Sequence, residues 1–429
     1  MSLTLLLAVA LLLLALLGAP LFAVIAGAAL LGFHSAGIDL MVVLVELYRI
    51  VDTPLLLALP FFTLAGYLLA ESHTSQRLVR VSQALLGWLP GGLAIIAYLT
   101  CAFFTALTGA SGVTIVAMGA LLLPSLIQSG YPEKFSLGLV TTSGSLGLLL
   151  APSLPLILYG IIVQQMNLPV NVEIVDLFLA GIIPAGLMIL LLSGWTLLTT
   201  QPTQQNSKAD WAEVKAALNE AKWEIPLPFV LLGSIYSGWV AISEAAAVTV
   251  FYLLIVEVFI YQEISIKQLS AIMREAMMMV GGILLILSVS LGFTNFLVDA
   301  EVPGKLFTTI QSFVSNKYLF LILLNLILLA LGAILDIFAA LVIVVPLIVP
   351  VALEYGIDPI HLGIIFLANM QIGYFTPPIG MNLFIASYRF QQPVTWLYSA
   401  CWPFMLVLLL ALILITYIPA LSLWLPGLF

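Results

Sequence analysis

Residues 318–353 read YLFLILLNLILLALGAILDIFAALVIVVPLIVPVAL. A single membrane-spanning helix uses about 20 apolar residues, with a range of roughly 17–25. This run is too long for one crossing and too short for two full ones. It has the length of a re-entrant hairpin, in which two half-helices enter and leave on one side. Gly332 allows a tight tip. Asp336 is the one charged residue in the run. A carboxylate at membrane depth costs at least about 2.5–3.5 kcal/mol on insertion scales, so a bound cation or a wet site is expected there. The alternative, an N-cap for the second half-helix, uses the same carboxylate, and both roles can hold at once.

Working outward, the stretch 93–125 has the same awkward length and carries TALTGASGVT (105–114) at its middle, with Gly109 and Gly112 at the turn. The other apolar segments are 3–17, 20–33, 54–70, 135–165, 176–199, 226–241, 243–261, 276–298, 360–388 and 395–425. The polar stretch 200–225 divides the chain near its middle. The composition fits: 63% of the 429 residues are hydrophobic and only 7% are charged, whereas a soluble domain carries about 25% charged residues to face water. Mean hydropathy is +1.23. The N-terminus lacks the basic region of a secretory signal, since the first Lys or Arg is Arg49, and segment 3–17 is expected to be retained in the membrane.

Composition also excludes functions. A net charge of −8 argues against nucleic-acid binding, which needs a basic face. No Walker-type phosphate loop is present, so the chain does not itself hydrolyse ATP. Cys101 and Cys401 lie in apolar stretches and are expected as buried thiols. His34, His73 and His361 fall near segment ends, where interfacial positions are expected, and no Cys/His metal spacing exists. Glu244 follows Ser243 at a predicted helix start, where ISEAAA reads as a cap and a first-turn acid.

A shift of about 225 residues lays the second half over the first. Gly138 falls on Gly363 and Pro152 on Pro377. The expected organisation is a first repeat over 1–175 (hairpin 93–125, broken helix 135–165) and a linking scaffold helix and cytoplasmic loop over 176–225. A second repeat follows over 226–390 (hairpin 318–353, broken helix 360–388), and a C-terminal transmembrane helix over 391–429. With 71–90 cytoplasmic, one crossing per helix and none per hairpin, Arg77, Arg80, Lys134, Lys208, Lys215, Lys222, Lys267, Arg274 and Arg389 all fall inside. Only Arg49, Lys305 and Lys317 fall outside, as the positive-inside rule requires. The two repeats are then inverted relative to each other, as in many secondary transporters, with both termini outside. The fold class is an all-α polytopic membrane protein.

Four polar or breaker-rich clusters interrupt the apolar segments: 105–114, TTSGSLGLLLAPSLP (141–155), GAILDIFAA (332–340) and NMQIGYFTPPIG (369–380). They form two pairs, each a hairpin tip with a broken helix. Pro152, Pro155, Pro377 and Pro378 prevent a continuous helix. Irregular backbone at membrane depth is tolerated only when buried in protein or lining a wet cavity. Freed carbonyls and helix C-termini suit hard cations, and helix N-termini suit anionic solute groups. Ser111, Ser143, Ser145 and Thr376 can add oxygens, although membrane Ser and Thr often bond their own helix. A plain kink at each Gly or Pro is the simpler reading of any one cluster.

At these clusters the sequence resembles the large permease subunit of the tripartite ATP-independent periplasmic (TRAP) transporters. The resemblance rests on TGASGVTIVAMGALLLPSL, GLLLAPSLPLILYG, ISEAAAVTVFYLL, LDIFAALVIVVPLIVP and YGIDPIHLGIIFLANMQIGYFTPPIGMNLFIAS, and spans nearly the whole chain. It departs at the first tip, where the family usually carries SGSS and this chain has TGASG. The resemblance implies a sodium-driven importer of a small organic, carboxylate-bearing solute in a bacterial inner membrane, with no covalent cofactor and Na+ as coupling ion. The implied partners are a small four-helix membrane subunit and a periplasmic binding protein. With no N-terminal extension in this sequence, the small subunit is expected not to be fused at that end. The implied mechanism is elevator-like, with 176–199 in the scaffold. By carry-over, one sodium site lies near Gly109, Ser111, Gly112 and Gly144, and another near Gly332, Asp336, Gly373 and Thr376. The solute lies between them, near Ser153, Asn369 and Asn382. Members handling acidic sugars are expected to carry an Arg in the helix matching 276–298, and this chain has no basic residue there. A single-component sodium/dicarboxylate transporter shares paired hairpins and is the nearest alternative. A membrane-embedded enzyme is more distant, because no second central Asp accompanies Asp336 and no His lies at mid-depth.

Overall fold

The computed structural model describes residues 17–49, 53–87, 91–166, 168–199, 211–314 and 316–428, with a few positions of 7–14. The expected segment 3–17 lies largely outside the described residues, as do 200–210 of the polar loop. Every described element is helical. Among the described residues nine helical spans are long and apolar enough to cross a membrane, so the chain is a multi-pass membrane protein.

Both hairpins form. The first pairs helices Gly92–Thr108 and Ser111–Gln128, the second Lys317–Ile334 and Ile337–Glu354. Each first broken-helix half follows its hairpin: Glu133–Ser143, and then Pro359–Gly373. After an interruption the chains resume as Leu154–Gln165 and Met381–Phe390. Ala151–Pro152 and Pro377–Pro378 are cis in the two interruptions. The four starts in the second set follow their counterparts by about 225 positions. Hairpin limbs of 17 or 18 residues reach about 26–27 Å at 1.5 Å per residue, somewhat beyond the ends expected from the apolar runs.

The helices sort into two groups by contact. Leu21–Ser35, Met41–Arg49, Ala58–Glu71, Ile242–Leu254 and the 34-residue Ile266–Asp299 pack on one another as a peripheral bundle. The hairpins, the broken helices, Ile174–Thr199 and Val394–Tyr417 form an inner group. The broken helices are its centre: from Ser136 to Leu149 every residue is buried. Helices apolar all round are buried on all sides or span a membrane; Leu154–Gln165 and Pro359–Gly373 are enclosed by protein, whereas Met381–Phe390 leaves Phe384 and Tyr388 exposed. Hydroxyls in the broken helices are satisfied locally, as when Thr141, Thr142 and Ser143 donate to Leu137, Gly138 and Leu139 carbonyls. Connecting helices Thr74–Leu86 and Val302–Phe313 lead from the periphery into the two hairpins.

Three expectations are corrected, and helix Ile174–Thr199, expected in the scaffold, packs against Val394–Tyr417, Pro359–Gly373 and the Leu146–Leu149 turn of the inner group. An unbroken apolar helix has no sequence mark for which partner it takes. The apolar segment expected over 276–298 starts earlier, as part of a longer helix: Ser265 caps Ile266–Asp299, its Oγ accepting from Gln268 N–H at 3.3 Å. His361 is buried, its ring nitrogens facing Ser422 Oγ (3.1 Å) and the Thr416 carbonyl (3.3 Å). The N-cap before ISEAAA is Ala241, not Ser243, and Glu244 reaches back to accept its N–H at 3.0 Å.

Tyr159 joins the two halves of the chain. Fully buried, it donates from its hydroxyl to the Pro359 carbonyl at 2.6 Å. Tyr159→Phe is expected to cost about 1 kcal/mol, the usual net worth of such a bond, and thermal unfolding in detergent will show the lowered midpoint.

Candidate ion and solute site

The first hairpin turns at Gly109, whose φ of +68° lies in the left-handed region. Its N–H closes the first limb on the Thr105 carbonyl at 2.7 Å. Thr105 Oγ1 sits 2.8 Å from the Gly144 carbonyl and 2.7 Å from Thr114 Oγ1. A Cβ on Gly144 would lie 3.2 Å from the Ser111 carbonyl and 2.5 Å from the Ile115 side chain. Hydroxyl and carbonyl oxygens from the tip and the first break therefore converge at Gly144, with no room for a side chain.

The second hairpin turns at Leu335 and Asp336. Asp336 Oδ1 accepts the N–H groups of Phe338 (2.9 Å) and Ala339 (3.1 Å), and so caps the second limb. Oδ2 has no hydrogen-bond partner among the described residues. The tip is seated on the second break. Gly380 N–H donates to the Ala333 carbonyl at 2.9 Å, and Ile337 N–H donates to the Tyr374 hydroxyl at 2.8 Å. Gly332 and Gly373 meet backbone to backbone: a Cβ on Gly373 would stand 2.6 Å from Gly332 Cα. Thr376 donates to its own helix at the Ile372 carbonyl, 2.8 Å away.

Two serine side chains join the halves at this site. Ser111 Oγ donates to Asn382 Oδ1 at 2.9 Å, linking the first tip to the second break. Ser145 Oγ donates to the Gln371 carbonyl at 3.1 Å, linking break to break. Ser111 and Asn382 stand in the first turns of Ser111–Gln128 and Met381–Phe390, so two positive helix ends meet at this contact. Asn382 N–H also donates to the Tyr374 carbonyl at 2.9 Å.

The two sets of expected ion-site residues are thus brought together as pairs of tip and break. The expected solute residues are not gathered in one place. Asn382 lies at the junction. Ser153 is buried and donates to the Leu148 carbonyl at 2.6 Å, inside its own break. Asn369 is buried and donates to Asn325 Oδ1 at 2.7 Å, its own Oδ1 having no partner among the described residues, while Asn325 donates to Thr416 Oγ1 at 3.1 Å. Thr105, Thr114 and Tyr374 were not expected. The two threonines flank the tip glycine within an apolar run, a signal available in TALTGASGVT. Tyr374 carries no comparable mark.

Residues 5–421 match the family described as the tripartite ATP-independent periplasmic transporter, DctM component. The chain belongs to the DctM family. The C4-dicarboxylate TRAP transporter large permease protein DctM of Rhodobacter capsulatus is 32% identical over 409 residues, 92% of each chain. The ectoine TRAP transporter large permease protein TeaC of Halomonas elongata is 29% identical over 421 residues, 96% of each. The isethionate TRAP transporter permease protein DctMQ of Oleidesulfovibrio alaskensis is 32% identical over 380 residues, 88% of this chain and 59% of the relative. Among solved structures, the YdaH transporter of Alcanivorax borkumensis has a similar fold, with a TM-score of 0.60 over 85% of this chain and 84% of that one at 16% identity. This DctM chain is therefore a large permease component of a TRAP transporter and not an enzyme. The hairpins and breaks described above are the irregular part of an otherwise helical permease.

Proposed function

We propose that the chain imports a small organic carboxylate across a bacterial inner membrane, driven by sodium. A periplasmic binding protein delivers the solute, and a small four-helix subunit completes the membrane part. The observation that carries this reading is the pairing of each hairpin tip with a break. Oxygens gather at Gly144 and at Asp336, which suits hard cations, and two helix N-termini meet at Ser111 and Asn382, which suits an anionic solute group. Relatives whose names specify C4-dicarboxylate, isethionate and ectoine support an organic, charged solute. The division into a peripheral bundle and a hairpin-bearing inner group, joined by two connecting helices, supports an elevator-like movement of the inner group with both hairpins re-entrant.

Helix Ile266–Asp299 carries Lys267 and Arg274 near its start and no basic residue from 275 to 299. Helix dipoles, not a basic clamp, then hold the solute carboxylate, and monoanionic and zwitterionic solutes are expected to be accepted. Uptake into proteoliposomes is expected to need both an inward sodium gradient and the binding protein. Full uptake without that protein would favour a single-component transporter. Strict preference for dianions would rule out recognition without a basic clamp.

A further inference from the structure

The connecting helix Thr74–Leu86 is pinned at its first turn by a buried charged cluster outside the ion and solute site. Arg77 is 5% exposed. Its Nε donates to Glu224 Oε2 at 2.8 Å, its Nη2 to Glu224 Oε1 at 2.5 Å, and its Nη1 to Glu263. Its guanidinium also lies over the Tyr261 ring, 4.1 Å from the centroid. Thr74 Oγ1 donates to Glu224 Oε1 at 2.6 Å. His73 donates its backbone N–H to Glu263 Oε2 at 2.8 Å. Burial alone would lower the Arg77 pKa, but the hydrogen bonds to Glu224 and Glu263 outweigh it and raise it above the ordinary value.

A third carboxyl group faces this guanidinium. Glu257, in the π-helical stretch Ile255–Ile260, is 0% exposed, and its Oε2 lies 3.6 Å from Arg77 Nη2. Neither of its oxygens has a hydrogen-bond partner, because the Arg77 donors are directed at Glu224 and Glu263. A buried carboxylate without donors is too costly to stay ionised and is neutralised instead. Arg77 fills the space between the carboxylates that a metal ion would need. The remaining neutralising ligand is a proton.

We infer that Glu257 is a proton-binding site, held as the carboxylic acid with its O–H donated to Glu224. Both carboxyl groups lie on the same guanidinium, Glu224 at 2.5 Å and Glu257 at 3.6 Å from Arg77 Nη2. The groups facing it are Arg77 from the connecting helix, Glu224 from the segment before Pro226–Tyr236, and Tyr261 and Glu263 from the turn after its own helix; His73 stands behind Glu263. The proton is thus a ligand of the joint between the connecting helix and Ile242–Leu254. Its loss leaves three carboxylates around one guanidinium and loosens that joint.

The sign follows from linkage. The folded chain keeps a proton that the unfolded chain releases, so this contribution falls as pH rises. Glu263 acts oppositely: burial would raise its pKa, but the Arg77 hydrogen bond and charge lower it overall. Its contribution is present above the ordinary carboxylate range and fades in acid. The test uses the purified full chain. The infrared difference between wild type and E257Q at neutral pH is expected to show a protonated-carboxyl band that the variant lacks. The alkaline fall in melting temperature of the wild type is expected to be lost in E257Q, since glutamine mimics the neutral acid. An E257Q chain that lacks the band difference, or that is unfolded or less stable than wild type at every pH, would overturn the inference and make Glu257 an ordinary ionised partner of Arg77.

Discussion

Asp336→Asn is expected to weaken the sodium dependence of uptake at least tenfold while leaving the amount of folded protein unchanged. Asparagine caps a helix about as well as aspartate, so the bonds from Phe338 and Ala339 survive the change. What is lost is one negative charge. A unit charge 4 Å from a cation is worth about 4 kcal/mol at an effective dielectric constant of 20, and a tenfold effect needs only about 1.4 kcal/mol. Tenfold is therefore a lower bound if a cation sits beside the carboxylate. Initial uptake rates against sodium concentration give the effect, and a melting curve of the same sample checks the fold. A variant with unchanged sodium dependence would remove Asp336 from the ion site and leave it as a cap alone.

Gly373→Ala should abolish most transport, and more completely than Gly332→Ala. The two glycines oppose each other, but a methyl group meets different neighbours from each side. On Gly373 it lies 2.6 Å from the Cα and carbonyl carbon of Gly332, and neither backbone can step aside without moving the hairpin. On Gly332 it meets Gly373 Cα at 3.1 Å and the Met370 Cα and sulfur at 3.3 Å, looser contacts than 2.6 Å, and the thioether can rotate away. Overpacking of a tight core costs about 1–3 kcal/mol. A shift of about 1 Å in positioning groups can cost on the order of 10²-fold in rate. Gly186→Ala is the control, with nothing within 4 Å of its added methyl group. Equal uptake by Gly373→Ala and Gly186→Ala would show that the contact between tip and break is dispensable.

The hairpins were legible because their interruptions are local. Gly109 and Gly332 break apolar runs of unusual length, and Asp336 is a charge where none is otherwise found. The long helix Ile266–Asp299 was half hidden because Lys267 and Arg274 look like loop residues, although Ser265 and Gln268 spell a capping box. What could not be read is what depends on partners distant in sequence. Glu224 and Glu263 stand 147 and 186 positions from Arg77. Asn369 reads as a solute ligand in NMQIGYFTPPIG, and nothing in that stretch shows that its amide group donates to Asn325, 44 positions away. A polar side chain in an apolar helix announces that it has a partner, not which one.

The bond from Ser145 to the Gln371 carbonyl spans 226 positions, and this sets an order of events during synthesis. At about 5–20 residues per second, the first break waits roughly 10–45 s for the backbone that completes it. Through that interval Ser111 also lacks Asn382. The nascent first half is thus a membrane protein with its polar seam open, in need of lipid headgroups, water or a chaperone until the second half arrives.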